Sequence, residues 1–102
     1  MKELNQEEWR EQVEKDKDAV ILDVRTQMEV EAGYIPNAKH LDIYKGQEFV
    51  AELDKLDKSK NYYIYCRSGQ RSAQACQFMD QKGFNNTYNL LGGIIEWDGE
   101  IV

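Results

Sequence analysis

The strongest constraint on the fold is a continuous apolar run, AVILDV, at residues 19–24. Such a run is typical of a parallel strand that is covered on both faces. A second run, YYIYC at residues 62–66, is rich in the aromatic residues that strands favour. Helical patterns stand between these runs, and strands that alternate with helices predict an α/β domain. We expect a mostly parallel central sheet of about five strands, with helices on both of its faces.

Local signals mark the boundaries of the other elements. Asn5 is a candidate N-cap for a first helix, and Thr26 and Glu29 form a capping box that begins a second one. Gly33 is placed to end this second helix. The remaining pattern predicts strands at residues 39–43, within 58–66 and at 87–90, helices at 46–56 and 72–82, and a last helical turn within 92–97.

The composition of the chain limits which partners it is expected to bind and in which cellular compartment it is expected to work. The chain has 102 residues, which fits one domain spanning residues 1–102. Its net charge of −6 argues against nucleic acid or an anionic membrane as the main partner, because both repel an acidic protein. No signal peptide or long apolar segment is present, so we expect a cytoplasmic protein, taken as a monomer. In a reducing cytoplasm, Cys66 and Cys76 should be thiols.

A cysteine that could act as a nucleophile lies at the end of a predicted strand. Functional sites in open α/β sheets lie beyond the carboxyl ends of strands, which is where Cys66 falls. The N–H groups of a tight loop and of a helix N-terminus form a cradle for an anion. The residues predicted to form this cradle are Arg67, Ser68, Gly69, Gln70, Arg71 and Ser72. Gly69 allows the tight turn, and Arg67 and Arg71 should pull the thiol toward the nucleophilic thiolate. From the residues alone, a plainer interpretation stays open, in which Cys66 merely ends a buried strand.

Three motifs together resemble those of the single-domain rhodanese sulfurtransferases. The loop YCRSGQRSAQA is similar to the family's active-site loop, ILDVRTQMEVEAGYIPNA to its upstream motif and NLLGGIIEW to its closing segment. The resemblance implies a rhodanese-like fold and a persulfide cycle. In that cycle, Cys66 takes a sulfur atom from thiosulfate or a persulfide donor and passes it to cyanide, a thiol or a protein acceptor. The cycle requires no metal and no organic cofactor, and the sequence shows no ligand cluster that would suggest one.

Two other functions stay open. Cysteine-dependent phosphatases and arsenate reductases use a C-x5-R loop, in which the arginine clamps a tetrahedral oxyanion. Here only four residues separate Cys66 from Arg71, and Ser72 occupies the position of the clamping arginine. The shorter loop favours sulfur chemistry. The second alternative is a module without turnover, which binds a partner protein or relays sulfur as a carrier.

Three further residues, Asp23, Arg25 and Cys76, are predicted to lie outside the reacting centre. Asp23 and Arg25 lie in the DVR motif, and the resemblance implies that they support the site without touching the substrate, although a purely structural ion pair is the favoured interpretation of Arg25. Asp23 can accept backbone N–H bonds at its strand end, and Arg25 can pair with Glu29 or Glu31. Cys76 falls in the helix after the loop, where a small buried side chain is favoured over a resolving thiol.

Overall fold

Five parallel strands form the central sheet in the computed structural model, which describes residues 1–102. The strands are β1 (Lys2–Leu4), β2 (Ala19–Asp23), β3 (Lys39–His40), β4 (Asn61–Tyr65) and β5 (Asn86–Leu90). Their order across the sheet is β1-β5-β4-β2-β3, and every neighbouring pair is parallel. The predicted α/β class and parallel sheet are confirmed. Because β2 pairs with β4, with Asp23 opposite Tyr65, the loops that follow these two strands lie side by side.

Four α-helices connect the strands. They are α1 (Gln6–Lys15), α2 (Gln27–Glu31), α3 (Gln47–Asp54) and α4 (Gln70–Gln81). Two short 3-10 helices are also present, at Ile43–Lys45 and at Ile94–Glu96, and the second is called the closing 3-10 helix below. The predicted caps are formed: the Asn5 side chain accepts a hydrogen bond from the Glu8 N–H, and Thr26 and Glu29 make the capping box of α2.

Three elements differ from the sequence-based expectation. The sequence pattern does not reveal β1, because a three-residue strand in which only Leu4 is buried carries too little alternation. The strand expected at residues 39–43 stops at His40, because Asp42 caps the first 3-10 helix. Helix α4 begins at Gln70 and not at Ser72, because Gly69 adopts a left-handed φ of +103° that turns the chain straight into the helix.

Both faces of the sheet are covered, as the continuous apolar strands predict. On one face, Leu53 of α3 and Met79 of α4 are fully buried against β2 and β4. On the other face, Trp9 of α1 packs edge-on against Tyr63 and Tyr65, with ring centroids 5.9 Å and 6.2 Å apart. Burial of such apolar surface supplies the main driving force for folding. No helix is both long and apolar enough to cross a bilayer.

Candidate functional site

Cys66 lies directly after β4, at the carboxyl edge of the sheet, and only 1% of the residue is exposed. Residues 66–72, called the cysteine loop below, comprise the turn after β4 and the first residues of α4. The loop turns at Gly69 and leads into the N-terminus of α4. The structure therefore brings the thiol, the turn and the first turn of the helix together in one place.

Three hydrogen-bond donors converge on the Cys66 sulfur. The Gly69 nitrogen lies 3.1 Å from Sγ, the Ser72 nitrogen 3.4 Å and the Ser72 hydroxyl 3.3 Å. Ser72 is fully buried, so its hydroxyl has the sulfur as a fixed partner. The side chains of Ser68 and Gln70 are exposed, and Ser68 contributes to the sulfur through its backbone N–H. The cradle is therefore built mainly from backbone groups.

These donors outweigh the effect of burial on the pKa of the Cys66 thiol. Burial alone raises this pKa, because a charged sulfur loses hydration in the interior. The Ser72 hydroxyl and the N–H groups of Ser72, Gly69 and Ser68 favour the thiolate more strongly, and the net pKa lies below the ordinary value for cysteine. Cys66 is therefore a nucleophilic thiolate in a larger fraction of molecules at neutral pH than a free cysteine is.

Arg71 is held by a carboxylate and is not free beside the sulfur. Its Nη1 and Nη2 donate to Oε1 and Oε2 of Glu29 at 2.7 Å and 2.8 Å. The hydrogen bonds from Arg71 are the largest cause of the low pKa of Glu29, about 2.

The expected activation of the thiol by Arg71 is therefore present but is not a leading contribution. The leading contributions to the lowered thiol pKa are the loop hydrogen bonds, because Glu29 offsets the positive charge of Arg71. A smaller attraction remains between Arg71 and the Cys66 sulfur, because the charge on the sulfur is one of the causes of the raised pKa of Arg71.

Arg67 is exposed and takes part in none of the ion pairs of the structure. It borders an open cleft of about 450 Å³ beside the cysteine loop. The other lining residues are Arg25, Glu29, Ala32, Ile94 and Ile95. A larger apolar groove of about 680 Å³ lies between α3 and α4, but it contains none of the groups that could react with a substrate. Cys66 itself does not line the cleft, but its neighbour Arg67 does, and we therefore place the candidate site at the thiol and the adjoining cleft.

Four residues outside the predicted site support the cysteine loop. They are Asn89, Gly93, Ile94 and Ile95. The Asn89 side chain donates to the Gly69 carbonyl oxygen at 3.1 Å, and the Ile94 N–H donates to the Cys66 carbonyl oxygen at 2.9 Å. The motif NLLGGIIEW contains all four, but its residue types indicate only a strand followed by a turn.

Asp23 and Arg25 form a buried ion pair beside the cleft. Arg25 donates to both carboxylate oxygens of Asp23 at 2.7–3.1 Å, and the Tyr65 hydroxyl donates to Asp23 at 2.6 Å. The expected pairing of Arg25 with Glu29 or Glu31 is wrong, because the buried Asp23 is a closer, bidentate partner. Arg25 reaches Glu29 only at its carbonyl oxygen, at 3.4 Å. Asp23 also accepts the Arg25 backbone N–H at 3.0 Å, as its position at a strand end predicts.

Cys76 lies within α4 and is fully buried. Burial raises the pKa of its thiol to about 12, so the thiol is neutral at physiological pH. Both cysteines are free. No group of three or more His, Cys, Asp or Glu side chains is arranged to hold a metal ion.

The fold and the site define a class of protein: a parallel α/β domain in which a strand-end cysteine faces the N-terminus of the next helix. The family described as "Rhodanese-like domain" matches residues 5–100. The chain therefore belongs to the rhodanese-like family, and the resemblance of the three sequence motifs is confirmed.

Individual relatives cover nearly the whole chain. YtwF of Bacillus subtilis is 37% identical over 100 residues, which span 98% of this chain and 93% of YtwF. The protein named thiosulfate sulfurtransferase GlpE of Coxiella burnetii is 40% identical over 83 residues, which span 81% of this chain and 75% of GlpE. The crystal structure of a rhodanese-like domain protein from Staphylococcus aureus superposes with a TM-score of 0.84 at 33% identity, covering 98% of this chain and 94% of that one.

Proposed function

We propose that this chain is a sulfurtransferase in which Cys66 carries the transferred sulfur atom as a persulfide. The donor is thiosulfate or another sulfane-sulfur compound, and the acceptor is cyanide or a thiol, free or on a protein. The observation that carries the proposal is the convergence of the Gly69 N–H, the Ser72 N–H and the Ser72 hydroxyl on one sulfur atom. Such a set of donors favours a negatively charged sulfur.

The first half of the reaction is a displacement at sulfur. The Cys66 thiolate forms a bond to the outer sulfur of thiosulfate while the S–S bond of thiosulfate breaks, and sulfite leaves with the electron pair of that bond. Cys66 then carries a persulfide anion with the same charge as the original thiolate. In the second half, the acceptor attacks the outer sulfur and the Cys66 thiolate leaves. Neither step needs an oxidant or a reductant.

The cysteine loop suits the charge that these steps place on sulfur. N–H groups of Ser68, Gly69 and Ser72 already favour the charged form of Cys66, and the same kind of donor stabilises a persulfide anion at this place. Arg67, exposed and outside every ion pair, lies at the cleft through which a dianion such as thiosulfate would approach. GlpE of Coxiella burnetii is named a thiosulfate sulfurtransferase, which makes thiosulfate the first donor to test.

The loop does not favour oxyanion chemistry. Ser72 occupies the position of the arginine that clamps phosphate or arsenate in C-x5-R enzymes, and its hydroxyl is engaged by the cysteine sulfur. Arg71, one position earlier, is engaged by Glu29. Neither group is therefore arranged as a free clamp for three oxygen atoms.

We propose that residues 1–102 act as a single rhodanese domain and as a monomer. The cytoplasm fits this role, because reducing conditions keep Cys66 and the buried Cys76 as free thiols.

Intact-mass spectrometry tests the persulfide directly. The wild type, Cys66→Ser and Cys76→Ser are incubated with thiosulfate and then treated with cyanide. We expect the wild type and Cys76→Ser to gain one sulfur atom and release it as thiocyanate, while Cys66→Ser gains none. Cys76→Ser is the matched control, because it removes the other thiol of the chain.

Other outcomes point to the alternatives. A persulfide that forms but is released to no small acceptor indicates a sulfur carrier for a protein partner. No sulfur gain from thiosulfate or from a low-mass persulfide overturns the proposal and favours a binding module. Arsenate reduction or phosphate-ester hydrolysis that depends on Cys66 also overturns it, in favour of oxyanion chemistry.

A further inference from the structure

Gly93 contacts the backbone of the cysteine loop too closely for any side chain. A Cβ atom at this position would lie 2.3 Å from the carbonyl oxygen of Arg67 and 2.6 Å from the nitrogen of Ser68. These are backbone atoms of the loop itself, so they cannot move aside as a flexible side chain can. Gly93 is buried and has a φ of +62°, in the left-handed region. The contact with Cys66's own loop is therefore built into the fold.

The residues after Gly93 hold the carbonyl groups of the same loop. The Ile94 N–H donates to the Cys66 carbonyl oxygen at 2.9 Å, and the Ile95 N–H donates to the Arg67 carbonyl oxygen at 3.1 Å. Both N–H groups belong to the first turn of the closing 3-10 helix, where they have no partner within the helix. Two consecutive carbonyl groups of the cysteine loop are thus fixed from outside the loop.

Fixing a carbonyl group also fixes the N–H group of the same peptide. In a planar trans peptide, the C=O and N–H bonds point in opposite directions. The Arg67 carbonyl shares its peptide with the Ser68 N–H, which favours the charged Cys66 sulfur less than Ser72 and Gly69 do. This peptide directly precedes the one that carries the Gly69 N–H, which donates to Sγ at 3.1 Å, so its orientation also sets the direction of that donor. When Ile95 draws the Arg67 carbonyl toward the closing 3-10 helix, the Ser68 N–H must face the other way. A rotation of this peptide would turn a carbonyl oxygen toward the sulfur and repel its negative charge.

We propose that Gly93, Ile94 and Ile95 are positioning residues for the chemistry of Cys66. They act on the thiol through the peptides of Arg67 and Ser68 and do not touch the substrate. Gly93 brings the closing 3-10 helix near enough for the two hydrogen bonds, and the two bonds hold the loop donors toward the sulfur. The inference rests on the proposed function of Cys66 as nucleophile, but its physical claim concerns the thiol alone.

The pH dependence of Cys66 alkylation in Gly93→Ala tests the proposal. Peptide mass spectrometry follows iodoacetamide modification of Cys66 at pH values from 5 to 10, flanking the free-thiol pKa of about 8.5. We expect the apparent thiol pKa to rise by about half a unit, which slows alkylation at pH 7 by about threefold and leaves the limiting rate at high pH unchanged. Gly83→Ala is the matched control, because Gly83 also has a positive φ, +95°, but no atom lies within 4 Å of its added Cβ. Its thiol pKa should equal that of the wild type.

A second variant decides the question if Gly93→Ala does not fold. Replacing the Ile95 residue by its α-hydroxy acid deletes the N–H donor to Arg67 and keeps the side chain. The chain can be assembled by ligation at the native Cys76, from a recombinant segment 1–75 and a synthetic segment 76–102. The same ester placed at Glu96 is the control, since the Glu96 N–H donates to Gly93 and not to the cysteine loop.

We expect the Ile95 ester to raise the thiol pKa and the Glu96 ester to leave it unchanged. An Ile95 ester with the thiol pKa of the wild type overturns the inference, whether or not Gly93→Ala folds. Alkylation needs no sulfur donor, so the result is independent of sulfur transfer. A pKa rise in the Ile95 ester together with a wild type that never forms a persulfide would overturn the proposed function and leave this inference standing.

Discussion

The pair formed by Glu29 and Arg71 predicts a specific dependence of stability on pH. We consider Glu29→Gln, which removes the charge but keeps the shape and can still serve in the capping box with Thr26. Lowering the Glu29 pKa from 4.5 to about 2 corresponds to about 3 kcal/mol at full strength. The Glu29 side chain is 28% exposed, and screening by solvent reduces this value. We expect Glu29→Gln to lower the free energy of unfolding by about 1–2 kcal/mol at pH 7.

The sign of the pH effect follows from the direction of the pKa change. Because the pKa of Glu29 is lower in the folded protein than in the unfolded chain, the stabilisation is complete above pH 4.5 and is lost as the pH falls toward about 2. The difference between the wild type and Glu29→Gln should therefore shrink across this window. Glu31→Gln is the control, since Glu31 is an exposed residue of the same helix and forms no ion pair.

Urea denaturation followed by tryptophan fluorescence measures the effect. Trp9 is 1% exposed in the folded protein, so unfolding changes its environment strongly. The free energy of unfolding is compared for the three proteins at pH 7 and at several values between pH 4.5 and pH 2. Equal stability of Glu29→Gln and the wild type at pH 7, or a difference that stays constant as the pH falls, would refute the reasoning.

Three other predictions concern single groups. Ser72→Ala removes the hydroxyl donor to Cys66 and should raise the thiol pKa by less than about one unit, measured by the pH dependence of alkylation. Ser68→Ala is the control, because it keeps the backbone donor and should leave the thiol pKa unchanged. Tyr65→Phe should lower the free energy of unfolding by about 1–3 kcal/mol in urea denaturation, because the buried hydroxyl donates to Asp23 and accepts from a backbone N–H. An unchanged free energy of unfolding would mean that water replaces the hydroxyl. Native Cys76 should resist iodoacetamide at pH 7 and react only after unfolding, and modification of the folded protein at Cys76 would contradict its burial.

The local features of the chain could be predicted from the sequence. Continuous apolar runs predict the buried strands β2 and β4, and the capping box of Thr26 and Glu29 predicts the start of α2. The length of the loop between Cys66 and Arg71 already favours sulfur chemistry over oxyanion chemistry. These features are readable because hydrophobic period, caps and loop length act over a few residues.

The partners of the charged groups were decided by the tertiary structure. Glu29 and Arg71 are 42 residues apart in the sequence, and they meet because β2 and β4 are neighbours in the sheet. Arg25 had several carboxylates within reach of its sequence position, and burial selected Asp23. A side chain that can pair with several neighbours is assigned only when packing brings one partner into bonding geometry and excludes the others.

The sequence also gives no sign of the contact between Gly93 and the loop that surrounds the Cys66 thiol. Gly93 follows the cysteine loop by more than 20 residues, and nothing local indicates that a Cβ there would strike the Arg67 backbone. The sequence by itself therefore indicated the buried strands β2 and β4, the helix caps and Cys66 as the candidate nucleophile. The tertiary structure decided which donors face the sulfur and which charges are neutralised, because both depend on how distant loops meet at the carboxyl edge of one parallel sheet.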